Sequence, residues 1–151
     1  MGAVTPLNYH FDKGYGLKQT HIKTSTLEPT GSDYISAKMP MLGNQDVILY
    51  MLLSDNLSMP YYFKNAEADE VLFIHEGNGV LESQMGSFRY RPGDYVVIPR
   101  TVIYRIKPDQ GRSRFMITES FSPVETVSRY RNDMGQLLEH SHYCERDNST
   151  P

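Results

Sequence analysis

The sequence predicts an all-β fold, a barrel or sandwich of short antiparallel strands carrying an N-terminal arm and a polar C-terminal tail. Three observations lead there. Between Asp46 and Ser120, runs rich in Val, Ile, Tyr and Phe follow one another and are broken at short intervals by Gly, Pro, Asn or Asp. Strands at that spacing suit a sandwich or barrel, not a parallel sheet with crossover helices. The length of 151 residues suits one domain, able to bury roughly 70% of its unfolded surface.

Residues 1–44 are polar and punctuated by Gly and Pro, with Tyr9, Phe11, Tyr15 and Tyr34 scattered along them and one strand-like run, Thr20 to Leu27. They read as an arm that packs on the barrel or on a partner. Residues 45–121 are the barrel. Its expected strands are DVILYMLL (Asp46 to Leu53), MPYYF (Met59 to Phe63), EVLFIHE (Glu70 to Glu76), GVLES (Gly79 to Ser83), SFRYR (Ser87 to Arg91), DYVVI (Asp94 to Ile98), TVIYRI (Thr101 to Ile106) and RFMITES (Arg114 to Ser120). Met85-Gly86 reads as a two-residue hairpin turn, because Gly is free to take positive φ. Residues 122–151 are polar, with Leu137 and Leu138 their only adjacent aliphatics, and read as a linker or docking tail with at most one helical turn. No internal repeat or low-complexity segment is present.

Composition excludes several partners. The chain is 39% hydrophobic and 22% charged with a net charge of -3, and it has no dense Lys/Arg block to neutralise a phosphate backbone, so nucleic acid is not expected. The longest apolar run, Val47 to Leu53, falls far short of the ~20 residues that span a bilayer, so no membrane contact is expected. The N-terminus lacks the basic-then-apolar layout of a signal peptide, and the single cysteine, Cys144, cannot form an internal disulfide. A reducing cytoplasm is the expected location.

Two stretches narrow the architecture. In E70-V-L-F-I-H-E-G77 a Glu is followed by a Gly that opens the tight connection Gly77-Asn78-Gly79; in G93-D-Y-V-V-I-P99 a Gly-Asp turn leads into a β-branched strand that Pro99 ends, since proline cannot donate to the ladder. Over about residues 65 to 120 this layout resembles the paired motifs of the cupin superfamily, which implies a double-stranded β-helix, or jelly-roll barrel. The resemblance also supplies a test for metal. Metal-binding cupins place His-x-His shortly before the Glu of the first motif and another His after the Pro of the second. Those places hold Lys64 and Ala66, or Phe63 and Asn65, and then Tyr104, while Thr101 stands where a Gly is usual. Only Glu70 survives as a ligand, and one carboxylate does not hold a transition metal. A metal-free barrel is expected.

Other candidates have bland readings. His75, beside Glu76 and a Gly-rich turn, is expected to be a hydrogen-bonded structural residue. Glu67, Asp69 and Glu70 are expected to form a solvated rim, not a general acid–base pair. Arg89, Arg91, Arg100 and Arg105 could hold a carboxylate ligand, but strand alternation spreads them over both faces, so salt bridges with Asp and Glu are expected.

EADEVLFIHEGNGVLES, FRYRPGDYVVIPR and YRNDMGQLLEHSHYCERD, in this order and spacing, resemble the N-terminal portion of homogentisate 1,2-dioxygenase over about Tyr15 to Asp147. The resemblance implies an iron(II) enzyme that opens an aromatic ring with dioxygen in tyrosine and phenylalanine catabolism, cytoplasmic, homo-oligomeric and trimer-based. In that family the iron is held by two histidines and a glutamate of a second, C-terminal cupin unit. This chain is therefore expected to be a non-catalytic N-terminal portion that binds no cofactor itself. Its expected partners are the second unit of the same polypeptide or neighbouring subunits, with a small aromatic acid as substrate of the parent. No catalytic, substrate-binding or metal-ligating residue can be named within it.

LEHSHYCERD, Leu138 to Asp147, offers His140, His142, Cys144, Glu139 and Glu145 within a few positions. Structural zinc sites draw ligand pairs from separated segments, so this cluster is expected to be a docking segment in which His140, Tyr143, Glu145 and Arg146 bond to a second barrel or subunit. Two alternatives remain open: a stand-alone metal-free cupin that binds a small carboxylate or sugar, and a metalloenzyme using this tail cluster.

Overall fold

The structure, a computed structural model, describes residue 19 and residues 21–141. Among the described residues there are eight strands, β1 (Lys38–Gly43), β2 (Val47–Ser54), β3 (Asp69–Glu76), β4 (Gly79–Ser83), β5 (Gly86–Tyr90), β6 (Tyr95–Ile98), β7 (Tyr104–Pro108) and β8 (Ser113–Ser120). They form a five-stranded sheet in the order β1-β2-β8-β3-β6 and a three-stranded sheet in the order β5-β4-β7. Every ladder is antiparallel. No helix among the described residues is long and apolar enough to cross a membrane.

Period-two alternation decides what lies between the sheets. From the larger sheet Tyr50, Leu52, Leu72, Ile74, Phe115 and Ile117 point inward; from the smaller sheet Leu81, Tyr90, Tyr104 and Ile106 meet them. Each fully buried Leu, Ile or Phe contributes about 1.5–3 kcal/mol by leaving water. Tyr90 and Phe115 cross the gap edge to face, with centroids 5.7 Å apart at 89°.

The turns follow from their residues. Asn44 Oδ1 accepts the Asp46 and Val47 N–H groups at 2.8 Å each, closing the β1–β2 hairpin. The β4–β5 loop is Gln84-Met85, with Ser83 paired to Gly86, so the turn expected at Met85-Gly86 is shifted by one residue. Gly86 opens β5 at φ 132, so the glycine does take the positive φ expected of it, one position after the loop. Gly79 is required by space: a Cβ there would lie 2.4 Å from the Lys107 carbonyl oxygen and 2.5 Å from the Tyr90 hydroxyl.

Three expected elements differ. Thr24–Thr26 form a 3-10 turn inside the run expected to be a strand from Thr20 to Leu27, and Thr20 lies outside the described residues. MPYYF contributes a single antiparallel bridge, Phe63 to Tyr104, because Pro60 removes a donor from its start. The segment read as an arm over residues 1–44 contains β1, and its Tyr34 and Ala37 are fully buried core residues. Pro40 disguised this strand. It is tolerated because β1 is an edge strand, and the β1–β2 register shifts between Pro40 and Leu42. Tyr9, Phe11 and Tyr15 lie outside the described residues.

Candidate functional site

Inside the barrel, at the positions where cupin ligands would converge, the chain brings together Phe63, Glu70 and Tyr104. Phe63 and Tyr104 exchange both backbone hydrogen bonds at 2.9 Å, and their rings meet edge to face with centroids 5.7 Å apart. Glu70 points inward from β3 beside Leu72 and Ile74 and is 0% exposed. The Tyr104 hydroxyl donates to Glu70 Oε2 at 2.7 Å and is hydrogen-bonded to the Tyr34 hydroxyl at 3.1 Å.

The remaining Glu70 oxygen faces a lysine. Lys38, the first residue of β1 and 6% exposed, donates from Nζ to Glu70 Oε1 at 3.1 Å and also to Glu119 Oε1. Glu119, 8% exposed, accepts from the Tyr50 hydroxyl on Oε2 at 2.9 Å. The ammonium lies 4.5 Å from the centroid of the Tyr50 ring and 5.7 Å from that of Tyr34. All four carboxylate oxygens are therefore partnered, and two aromatic faces flank the cation.

The electrostatics follow from this enclosure. Burial by itself would lower the Lys38 ammonium, but the charges of Glu70 and Glu119 and the hydrogen bonds to them outweigh it and hold Lys38 above its ordinary value. Burial pushes the Glu70 carboxyl up, and the Lys38 charge and the Tyr104 hydrogen bond pull it back only in part. Burial likewise drives the Tyr34 and Tyr104 phenols well above their usual range, so both stay protonated. The cluster can hold charge in place. It has no exposed face for a substrate.

The fold implies a metal site, and the residues do not fit one. Phe63 offers no donor, Tyr104 is a protonated phenol bonded to Glu70, and the remaining Glu70 oxygen is taken by an ammonium. Among the described residues no group of three or more His, Cys, Asp or Glu converges. His140 and Glu139 of the tail are described and exposed, while His142, Tyr143, Cys144, Glu145 and Arg146 lie outside the described residues.

The solvated rim expected at Glu67, Asp69 and Glu70 is corrected. Glu67 alone is exposed; Asp69 and Glu70 are buried. Asp69 Oδ1 accepts the Arg100 N–H at 2.9 Å and Arg100 Nε at 3.0 Å, and its Oδ2 accepts the Val124 N–H at 2.8 Å, fastening the start of the tail to β3. Burial raises this carboxyl, but those donors together hold it below its ordinary value.

The four arginines are all paired: Arg89 with Asp109 at 2.8 Å, Arg91 with Asp94 at 3.7 Å, Arg100 with Asp69 at 3.0 Å and Arg105 with Glu82 at 2.6 Å. His75 is exposed at a register shift between Ile74 and Glu76, with its ring 6.3 Å from that of Phe73 and no hydrogen-bond partner among the described residues. The hydrogen-bonded role expected of it is corrected: the irregular pairing turns the side chain to solvent.

Lys38, Tyr50 and Glu119 were missed from sequence. Glu119 had a legible signal, since alternation along RFMITES places it on the same face as Phe115 and Ile117. Lys38 had none. Its strand was hidden in the arm by Pro40.

A second feature is a cleft of about 1440 Å³ between the free edges of β5 and β6, lined by Leu81, Phe88, Tyr90, Val96, Ile98 and Val102. Arg89 and Arg91 at its rim are already engaged with Asp109 and Asp94.

Comparison with known proteins places this geometry. The family model described as homogentisate 1,2-dioxygenase N-terminal matches residues 22–128, more than two thirds of the chain. A protein of Saccharolobus solfataricus named as a dioxygenase is 30% identical over 130 residues, covering 86% of this chain and 33% of that protein. The homogentisate 1,2-dioxygenase of Bradyrhizobium diazoefficiens is 30% identical over 66 residues, covering 44% of this chain and 15% of that enzyme. The chain thus spans about a third or less of the length of these relatives. The solved structures of KdgF from Halomonas sp. (TM-score 0.51, 15% identity, 57% of this chain and 78% of that one) and of the Schizosaccharomyces pombe Cnp3 cupin domain (TM-score 0.51, 13% identity, 55% and 59%) share the fold. With its cupin barrel and the match across residues 22–128, this chain belongs to the homogentisate 1,2-dioxygenase N-terminal family.

Proposed function

We propose that this chain is the non-catalytic N-terminal cupin portion of a longer homogentisate 1,2-dioxygenase-like enzyme, iron(II)-dependent, cytoplasmic and homo-oligomeric, acting in tyrosine and phenylalanine catabolism. The observation that carries the reading is the engagement of Glu70, whose two oxygens are held by Lys38 and Tyr104, while Phe63 brings no ligating atom and the Asn65 side-chain oxygen accepts the Glu67 and Ala68 N–H groups. Iron bound by a second unit would supply dioxygen activation for ring opening. This barrel's own residues would build and brace the assembly.

The outer face of the five-stranded sheet supports that role. Met39, Met51, Met116, Phe73 and Tyr95 are successive cross-strand partners and form one apolar row across all five strands. Tyr95 is 67% exposed. A solvent-facing sheet normally alternates apolar with polar residues, and a row apolar from edge to edge, with Met51 already covered by this chain but Met116 and Tyr95 exposed, is what an adjoining unit covers.

The test is oxygen-dependent homogentisate consumption, with metal content measured alongside. This chain by itself is expected to show neither turnover nor stoichiometric iron, and the longer polypeptide both. Turnover by this chain at enzyme-like rates would sink the proposal. The open cleft favours the second reading, a stand-alone binder of a small carboxylate or sugar, which instead requires a ligand-dependent rise in Tm for this chain without any second unit.

A further inference from the structure

Glu70 on β3 and Glu119 on β8 are direct cross-strand partners, both facing the barrel interior. Like charges placed opposite each other in a ladder repel, and burial removes the water that would screen them. Something cationic must stand between them. Strand β1 delivers it, because Lys38 pairs with Leu52 on the inward face of β2 and its ammonium reaches one oxygen of each carboxylate. The remaining oxygens are closed by the Tyr104 and Tyr50 hydroxyls. The faces of Tyr50 and Tyr34 complete a cage of carboxylate and aromatic walls, the chemistry that recognises an organic ammonium and not a metal ion.

We propose that this interior is an ammonium-binding site occupied by the chain's own Lys38, a built-in cation where the fold elsewhere takes a metal. The site is a property of Tyr34, Tyr50, Glu70, Tyr104 and Glu119, so it outlasts the lysine. Truncation by Lys38→Ala opens a cavity that accepts a free primary alkylammonium ion. The matching probe is n-propylammonium, which reproduces the missing carbons and the charge beyond Cβ.

The experiment follows thermal unfolding of the intact protein and of Lys38→Ala in n-propylammonium chloride, with sodium chloride, 1-propanol and manganese chloride as controls. Lys38→Ala is expected to lose on the order of 10 °C in Tm and to recover it in a saturable way with propylammonium alone, whereas the unaltered protein responds only as it does to sodium chloride. A variant as stable as its parent overturns the proposal, as does equal rescue by 1-propanol or sodium chloride, or rescue by manganese in preference to propylammonium. Should the variant not accumulate folded, it is refolded with and without propylammonium, and failure in both overturns the proposal equally. Lys38→Met gives an independent reading. With the cation gone and its bulk kept, the folded state binds protons more readily than the unfolded chain, so the stability deficit must grow as pH rises through the carboxylate range. A deficit that does not change with pH overturns the assignment.

Discussion

Glu70 and Glu119 stand opposite each other across the β3–β8 ladder with the Lys38 ammonium bonded to both, which turns a repulsive pair into the tie between β1, β3 and β8. Because Lys38 lies on an edge strand, the tie also fastens that edge. Loss of one charge from so buried a set costs more than loss of any surface pair in this molecule, since an exposed pair such as Arg89–Asp109 contributes at most about 1 kcal/mol.

Tyr104 is the residue standing where a cupin histidine would be. Tyr104→Phe removes the hydroxyl that donates to Glu70 and is bonded to Tyr34, and is expected to cost about 1–3 kcal/mol in urea unfolding. Tyr104→His is expected to bind no stoichiometric manganese, iron or zinc in metal analysis after dialysis, because Glu70 remains engaged by Lys38 and Phe63 adds no donor. Stoichiometric metal in that variant would contradict the description of the site.

Thr101 occupies φ 70, a left-handed backbone that β-branched residues rarely adopt, and its N–H is held by the Asn65 carbonyl at 2.7 Å. Thr101→Gly relieves the strain and keeps the hydrogen bond. It is expected to stabilise the protein by about 1 kcal/mol, the left-handed cost less the added flexibility of glycine; urea midpoints at constant m-value check this.

Asp69 contributes to the acid limb of stability. Its folded carboxyl lies below the ordinary 3.8, so the folded state binds a proton less readily than the unfolded chain. Its contribution is complete above that value and is lost as pH falls through it towards the folded pKa. Asp69→Asn is expected to cost about 1–3 kcal/mol at neutral pH and to flatten the loss that sets in as pH falls below about 4, as read by chemical unfolding at successively lower pH. A variant as acid-sensitive as its parent would assign the limb elsewhere.

Gly79→Ala places a Cβ against the Lys107 carbonyl and the Tyr90 hydroxyl and is expected to cost at least about 1–3 kcal/mol, since the backbone must move. Tyr90→Phe is expected to be neutral or mildly stabilising, because the buried hydroxyl has no hydrogen-bond partner among the described residues. Combined, the two should cost less than their sum, and a double-mutant cycle measures that coupling.

The outer sheet face gives a prediction separate from stability. Tyr95→Glu with Val97→Lys places charge on exposed positions of β6 and is expected to leave the unfolding transition of this chain within about 0.5 kcal/mol. In a longer homo-oligomeric enzyme of the kind proposed above, it is expected to lower the apparent mass in light scattering. Unchanged assembly would remove this face from the interface.

Much of this protein is legible in its sequence. Alternation in EVLFIHE, DYVVI and RFMITES places β3, β6 and β8 within a residue or two, because sheet pairing buries every second side chain. Gly79 and Asn44 mark connections through local sterics and local hydrogen bonds, which need no knowledge of distant chain. The missing ligands at Phe63, Asn65 and Tyr104 are equally local, being a count along the chain from Glu70 and Pro99. The family followed from the same motifs. What the tertiary structure alone decided is the cluster of Lys38, Tyr50, Glu70, Tyr104 and Glu119. These residues come from five strands, and nothing near any one of them in sequence announces the others. Their meeting depends on register: one residue of slip between β3 and β8 would turn Glu70 or Glu119 out to water and leave Lys38 without a partner. Burial then converts that register into chemistry, since two carboxylates inside a barrel need a cation, and the edge strand hidden behind Pro40 is the element that brings one.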